Sequence, residues 1–288
     1  MQQMNKYQDV LSKYQLKMSD EQVKEKVDEL ITKNFKSNDN KDVYRKIYSC
    51  IDLTSLNITD SKEDIWKLTE RVNDFEGSSD VANVAAICVY PNLVEVVKEA
   101  LTAQDVKIAS VSGGFPSSQT FVEVKIAETA LAVANGAEEI DIVINLGLFL
   151  SRNYEDMCEE IEEIKHACRD ARLKVILETG VLESVEDIYN ASVLSLFSGA
   201  DFLKTSTGKV HKGATPEVVY AMCVALKDYH IKTGRKAGIK ISGGIAETGD
   251  AVKYYTIVKE LLGEEWCNNE YFRIGASRLA ENLLKNIN

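Results

Sequence analysis

The chain reads as an α/β protein, a closed (β/α)8 TIM barrel with an extra N-terminal helix. Eight short, apolar, β-rich runs recur along its 288 residues with helical patterns between them. Their spacing of about 25 to 35 residues leaves room for one helix and two short loops each time. Eight such units in about 240 residues is the count of a closed barrel. The rival, an open doubly wound sheet, carries a glycine fingerprint after its first strand. Here that position reads Asp52-Leu-Thr-Ser-Leu-Asn57, without glycine.

From the N-terminus, Ser19 and Gln22 have the spacing of a capping box, and Val23, Val27, Leu30 and Ile31 form an apolar stripe behind them. This helix is expected against the barrel bottom or a partner. Lys36-Ser-Asn-Asp-Asn-Lys41 reads as a polar linker, so residues 1–43 form a helical extension with its linker and residues 44–288 the barrel. Strands are predicted at Tyr48–Leu53, Val84–Val89, Lys107–Val111, Glu139–Ile144, Lys174–Leu177, Phe202–Thr205, Ala237–Ile241 and Phe272–Gly275. After the third, a helix over Ser118–Asn135 carries Val122, Ile126, Thr129, Ala130 and Val133 on one face and stops at the C-cap Asn135-Gly136. Thr215-Pro216-Glu217 supplies an N-cap, an N1 proline and a first-turn acid to the helix before strand seven.

Composition narrows the partners. There are 34 basic residues against 45 acidic, a net charge of −11, and no stretch forms a basic stripe. Nucleic acid and anionic membrane are therefore not expected, and any bound anion must be held by local geometry. Six cysteines (Cys50, Cys88, Cys158, Cys168, Cys223 and Cys267) form no C-x-x-C pair and have no His at ligand spacing. They read as free buried thiols in a reducing compartment, with neither zinc nor disulfides. The N-terminus has no apolar leader, and no run approaches the roughly 20 apolar residues of a membrane span, so a cytoplasmic location is expected.

Barrel strands are buried on both faces, so a charge near a C-terminal strand end, where this fold keeps its active sites, is informative. Asp141 stands in Glu139-Ile-Asp-Ile-Val-Ile144, Lys204 in Phe202-Leu-Lys-Thr205 and Lys240 in Ala237-Gly-Ile-Lys-Ile-Ser242. Any one alone could be an outward ion pair at a strand end. Lys204 and Lys240, however, fall on neighbouring strands about 4.8 Å apart, where two ammonium groups repel and one gives up its proton more readily. A desolvated lysine beside a second cation is an amine able to attack a carbonyl near neutral pH. Asp141, across the lumen, is expected to take a proton from carbon or relay one through water.

Glycine placement adds a second constellation. Strand six runs into Ser206-Thr-Gly-Lys209, strand seven into Ser242-Gly-Gly244 and strand eight into Gly275-Ala-Ser277. Thr207, Gly208, Lys209, Gly243, Gly244, Gly275 and Ser277 form a candidate anion cradle, since such barrels bind phosphate on backbone N–H groups after their last strands. The implied substrate is a small phosphorylated carbonyl compound or sugar. Asp52 and Thr54, ending strand one, are candidate contacts to substrate hydroxyls, although both are also ordinary cap residues. Glu178 reads equally as catalytic or as the partner of a neighbouring lysine. His166, His211 and His230 have no strand-end position, and His211, between Lys209 and Lys212, is expected in solvent.

These phrases, in order, resemble the deoxyribose-phosphate aldolases, a class I aldolase family. The resemblance rests on Ile51-Asp-Leu-Thr54, Ala85-Ala-Ile-Cys-Val-Tyr-Pro91, Gly114-Phe-Pro116, Gly136 to Asn145, Leu173 to Thr179, Ala200 to Lys209, Ala214-Thr-Pro216, Gly238-Ile-Lys-Ile-Ser-Gly-Gly244 and Arg273-Ile-Gly-Ala-Ser277. It covers about residues 44 to 280. It implies reversible cleavage of 2-deoxy-D-ribose 5-phosphate to D-glyceraldehyde 3-phosphate and acetaldehyde, in deoxyribonucleoside catabolism. It further implies a Schiff base on Lys204, a tuning and proton-transfer role for Lys240, proton movement by Asp141, and no metal or organic cofactor. Three positions depart from the family's pattern: Ile241 beside Lys240, Arg278 after Ser277, and a C-terminus ending Asn286-Ile-Asn288 in place of the tyrosine-bearing tail of some members. Another class I aldolase with a different phosphorylated donor, and a non-catalytic phosphometabolite-binding barrel, remain the alternatives; a homo-oligomer is compatible with all three.

Overall fold

Each of the eight apolar runs folds as a strand: β1 (Ile51–Thr54), β2 (Ala86–Val89), β3 (Lys107–Val111), β4 (Glu139–Val143), β5 (Arg172–Ile176), β6 (Phe202–Lys204), β7 (Gly238–Ser242) and β8 (Phe272–Ala276). In this computed structural model, which describes residues 6–78, 80–209 and 213–287, they pair in parallel in chain order and β8 closes on β1. Outside the barrel lie α1 (Lys6–Lys13), α2 (Asp20–Asn38), α3 (Lys41–Tyr48), α4 (Lys62–Phe75), α5 (Val94–Ala100), α6 (Val122–Ala134), α7 (Leu146–Leu150), α8 (Tyr154–Cys168), α9 (Val185–Phe197), α10 (Pro216–Thr233), α11 (Thr248–Leu262) and α12 (Arg278–Ile287).

The two-residue period of a strand sorts its side chains between two environments. One parity, including Ile87, Val89, Ile140, Ile142, Leu173, Val175, Leu203, Ile239, Ile241 and Ile274, packs with the surrounding helices in the main core. Each such aliphatic chain, fully buried, stabilises the fold by roughly 1.5–3 kcal/mol. The other parity faces the lumen and divides it. On β2 and β3 it is small and apolar, Ala86, Cys88, Ala109 and Val111, a cluster of its own with Leu56, Tyr90 and Phe115. On β4 to β8 and β1 it is charged. Register sets Asp141 beside Lys174, Lys204 beside Lys240, and Lys240 beside Arg273.

Three local expectations change. The segment read as a linker is helical through Asn38, and Asn40 caps α3 by accepting from the backbone N–H groups of Asp42 and Val43. Its polar composition reflects caps and inward contacts, with the buried Asn38 amide donating to Thr256. The capped helix, α2, lies along α10 and α11 on the outer face of the helical ring, not at the barrel bottom. Finally, α6 starts at Val122 because Ser118 has φ 58°, and its buried face centres on Lys125, Thr129 and Ala132 while Ala130 turns outward. Lys125 is a buried position because its ammonium pairs with Glu160 at 2.6 Å and donates to Ser118 at 2.9 Å, contacts that an apolar-stripe reading passes over.

Candidate active site

Seven ionisable side chains meet inside the barrel. Asp52 comes from β1, Glu139 and Asp141 from β4, Lys174 from β5, Lys204 from β6, Lys240 from β7 and Arg273 from β8. Asp141 is the hub: its Oδ1 accepts from Lys174 Nζ at 3.0 Å, and its Oδ2 accepts from both Lys204 Nζ and Lys240 Nζ at 2.8 Å. Below it, Lys240 also meets Asp52 Oδ2 at 2.5 Å, and Lys174 meets Glu139 Oε2 at 2.6 Å. Arg273 forms the floor, donating to Asp52 Oδ1 at 2.6 Å and to both oxygens of Glu139 at 2.8 and 3.1 Å.

Counting charges decides what this cluster can do. Lys174, Lys204, Lys240 and Arg273 give four potential cations against the three carboxylates Asp52, Glu139 and Asp141, so full ionisation leaves one positive charge in excess in a water-poor interior. Discharging one lysine removes that excess most cheaply. Lys204 is the one with the weakest claim on a proton, because it has a single carboxylate partner while Lys240 has two and Lys174 three. Burial lowers the Lys204 pKa, the Lys240 charge lowers it further, and Asp141 only partly opposes them. For Lys240 burial acts in the same sense, but Asp141 and Asp52 outweigh it and hold the pKa well above the usual lysine value. Lys174 is likewise raised, by Asp141, Glu139 and Asp52 against burial. Burial would raise the two aspartates, yet Lys174, Lys204 and Lys240 hold Asp141, and Lys240, Arg273 and Lys174 hold Asp52, well below the ordinary carboxylate range.

Above the cluster a cavity of about 220 Å³ opens at the C-terminal end of the strands. Lys204, Thr54, Thr207, Gly208, Lys209, Gly243, Gly244, Gly275 and Ser277 all line it, together with Arg278. Lys204 is the one member of the charged cluster that reaches it; its residue is 3% exposed, while Lys174, Lys240, Asp52 and Asp141 are at 0%. The rim loops are tied to each other. Ser242 N–H donates to Thr205 Oγ1, the Ser206 hydroxyl donates to Ser242 O at 2.6 Å, and Ser242 Oγ donates to Ser206 O at 2.7 Å. Gly243, with φ 103°, lies so close that a Cβ there would stand 2.6 Å from Ser206 Oγ. Lys209 donates from the β6 loop to the Leu56 carbonyl in the β1 loop, bridging the cavity mouth.

The expected cradle residues thus come together, but Asp52 does not sit at the rim with Thr54. It lies one pleat lower, wholly buried, as a counter-charge of Lys240 and Arg273. Asp141 is also shut off from the cavity, and its depressed pKa makes it a poor acceptor of a proton from carbon and a good fixed anion. Among the described residues Glu178 pairs with no lysine: at φ 49° it turns its carboxylate to the Thr207 N–H at 3.3 Å and hydroxyl at 2.5 Å, fixing the β6 loop. Glu139, Lys174 and Arg273 were not singled out by sequence reasoning. Their signal is parity, since Glu139 lies two residues before Asp141, and Arg273 two before Gly275. His211 lies outside the described residues.

Among the described residues no group of His, Cys, Asp and Glu is arranged to hold a metal ion; the three lumen carboxylates are all engaged by cationic side chains. No described helix is long and apolar enough to cross a membrane. The low pKa values of Asp52 and Asp141 fix a sign for the pH dependence of folding. Carboxylates depressed in the folded state stabilise it fully above their unfolded values, near 4, and lose that contribution as pH falls towards the folded ones. Urea denaturation should therefore give a steady unfolding free energy at mildly acidic pH and a falling one below about pH 4; stability independent of pH down to 2 would contradict the ionised cluster.

The sequence from 47 to 255 matches the model of the DeoC/LacD family aldolases. A deoxyribose-phosphate aldolase of Homo sapiens is 39% identical over 254 residues, 84% of this chain and 80% of the human protein. The Bos taurus protein of the same name has the same identity and coverage. Among solved structures, the tetrameric deoxyribose phosphate aldolase of Aeropyrum pernix aligns with a TM-score of 0.67 at 27% identity, covering 84% of this chain and 91% of its own. With its closed barrel and paired lumen lysines, the chain belongs to the DeoC/LacD family of aldolases.

Proposed function

We propose that the protein reversibly cleaves 2-deoxy-D-ribose 5-phosphate to D-glyceraldehyde 3-phosphate and acetaldehyde, with Lys204 forming the imine. The carrying observation is the surplus cation in the lumen together with a lowered Lys204 pKa, from burial above all, at the one cluster member open to the cavity. The neutral Lys204 amine adds to C1 of the open-chain sugar, and loss of water gives an iminium. Loss of the C3 hydroxyl proton then breaks the C2–C3 bond; the electron pair moves into the iminium, leaving an enamine and releasing the triose phosphate. Protonation of the enamine and hydrolysis free acetaldehyde and return the amine. Lys240 and Asp141 supply the fixed charges, because Asp141 Oδ2 accepts from both lysine nitrogens. The phosphate is assigned to the glycine turns of Gly208, Gly243 and Gly244 and to the N-terminus of α12, whose backbone donors suit an anion.

Six buried free cysteines fit a reducing compartment, and we assign the protein to the cytoplasm. We also read it as a homo-oligomer, since α6 exposes Phe121 at its start and then Val124 and Leu131 to solvent. Light scattering on the purified protein decides this, and a monomer at micromolar concentration would end that reading.

Borohydride added with acetaldehyde or 2-deoxyribose 5-phosphate should trap a reduced adduct that peptide mapping locates at Lys204; an active enzyme without it would sink the mechanism. Lys240→Leu removes the cation that repels a proton from Lys204 and frees Asp141 to hold it. We expect an intact circular-dichroism spectrum, an acid limb of kcat/KM displaced to higher pH, and turnover at neutral pH reduced about 100-fold or more. An unshifted profile would count against the tuning role.

A further inference from the structure

The ring of helices has a seam. α4 packs on α5, and α12 packs on α3 and α11, but the first and last barrel helices do not pack closely on each other. Between them lies a cleft of about 410 Å³ against the outer face of β1, within the size range of ligand pockets. Leu53, which in a closed ring would be covered by both helices, is only partly buried there. Leu68, Val72 and Phe75 from α4 and Ala280 and Leu284 from α12 make the walls apolar. The rings of Tyr48 and Phe75, 5.1 Å apart, pack beside them. Each wall also contributes a guanidinium, Arg71 and Arg278, and neither has a hydrogen bond or carboxylate partner among the described residues. Against the one carboxylate, Glu281, the lining carries a net charge of +1.

We infer that this cleft is a binding site for an amphipathic organic monoanion, with its apolar body against Leu53, Leu68, Val72 and Leu284 and its charge on the arginines. An apolar cleft with an unpaired cation on each wall suits that class: apolar body and anion are both matched, whereas a neutral oil leaves the guanidinium groups unanswered and inorganic phosphate leaves the walls wet. The cleft is distinct from the cavity over Lys204, although Thr54, Asn57, Ser277 and Arg278 line both. The inference does not depend on the aldolase reaction.

The probe is 8-anilinonaphthalene-1-sulfonate, an aromatic monoanion whose fluorescence rises on leaving water, titrated into the full-length protein. Saturable binding of one equivalent is expected, displaced by octanoate and not by inorganic phosphate. Arg71→Glu, at an exposed position outside the catalytic cavity, should weaken it about tenfold or more through loss of a charge-assisted contact. Leu284→Trp should abolish it by filling the cleft, and thermal melts keep misfolding from passing as lost binding. The inference is overturned if the folded wild type binds no probe, if phosphate displaces it, or if both variants bind as the wild type does. It is equally overturned if light scattering shows Leu284→Trp dissociating a dimer, which would assign the cleft to a second copy of the chain.

Discussion

Asp141 accepts hydrogen bonds from three lysine side-chain nitrogens in a place water scarcely reaches. An isolated ion at such a depth is prohibitively costly, and removing one partner of a buried pair is costly because the other charge remains. Loss of a cluster member is therefore tolerated only where another group takes up the compensating charge, as Lys204 can when Lys240 is removed. That requirement constrains the barrel, since Asp141, Lys174, Lys204, Lys240 and Arg273 come from five successive strands and meet only in one register. A one-residue slip of β4 would turn Asp141 into the helix layer and leave three ammonium groups facing each other.

The same crowding explains the uneven lumen. Lysine chains from β5, β6 and β7 fill the space towards β4 and β1, and the opposite wall is built from the small apolar side chains of Ala86, Cys88, Ala109 and Val111. Over this floor the hydroxyl ties between Thr205, Ser206 and Ser242, and the carboxylate of Glu178 behind Thr207, hold the β6 and β7 loops together. Glu178 maintains a left-handed backbone that a non-glycine residue rarely adopts, and its two contacts to Thr207 account for where that strain is held.

Much of this was legible in the sequence because strand period and glycine turns are local signals. Eight runs, their spacing and the missing fingerprint gave the barrel, and Lys204 and Lys240 stood out as charges in apolar text. Asp52 was misplaced because its neighbour Thr54 does reach the rim; which of two same-parity residues lies deeper is set by strand tilt and by Arg273 on the adjoining strand, and neither is visible in one segment. Lys174 and Arg273 escaped notice because a charge at the start of a strand reads as an end facing solvent. Only closure of the barrel turns those ends into a shared floor. Similarly, the polar run Lys36–Lys41 looked like a linker because its capping role depends on the helices it joins.

The cluster has two opposed tasks in the proposed reaction, and its geometry suits both. Before the imine forms, Lys204 must be neutral, which burial and the Lys240 charge favour and Asp141 resists. Once the iminium forms, the same nitrogen is positive, and an anion 2.8 Å away becomes an asset. A purely apolar pocket would free the amine more completely but would raise the energy of the iminium by the same desolvation. One carboxylate shared between Lys204 and Lys240 is a compromise: its field is divided when Lys204 is neutral and already in position when the charge returns. Lys174, Glu139, Asp52 and Arg273 keep that carboxylate ionised and Lys240 charged throughout, so they act on the reaction without reaching the substrate.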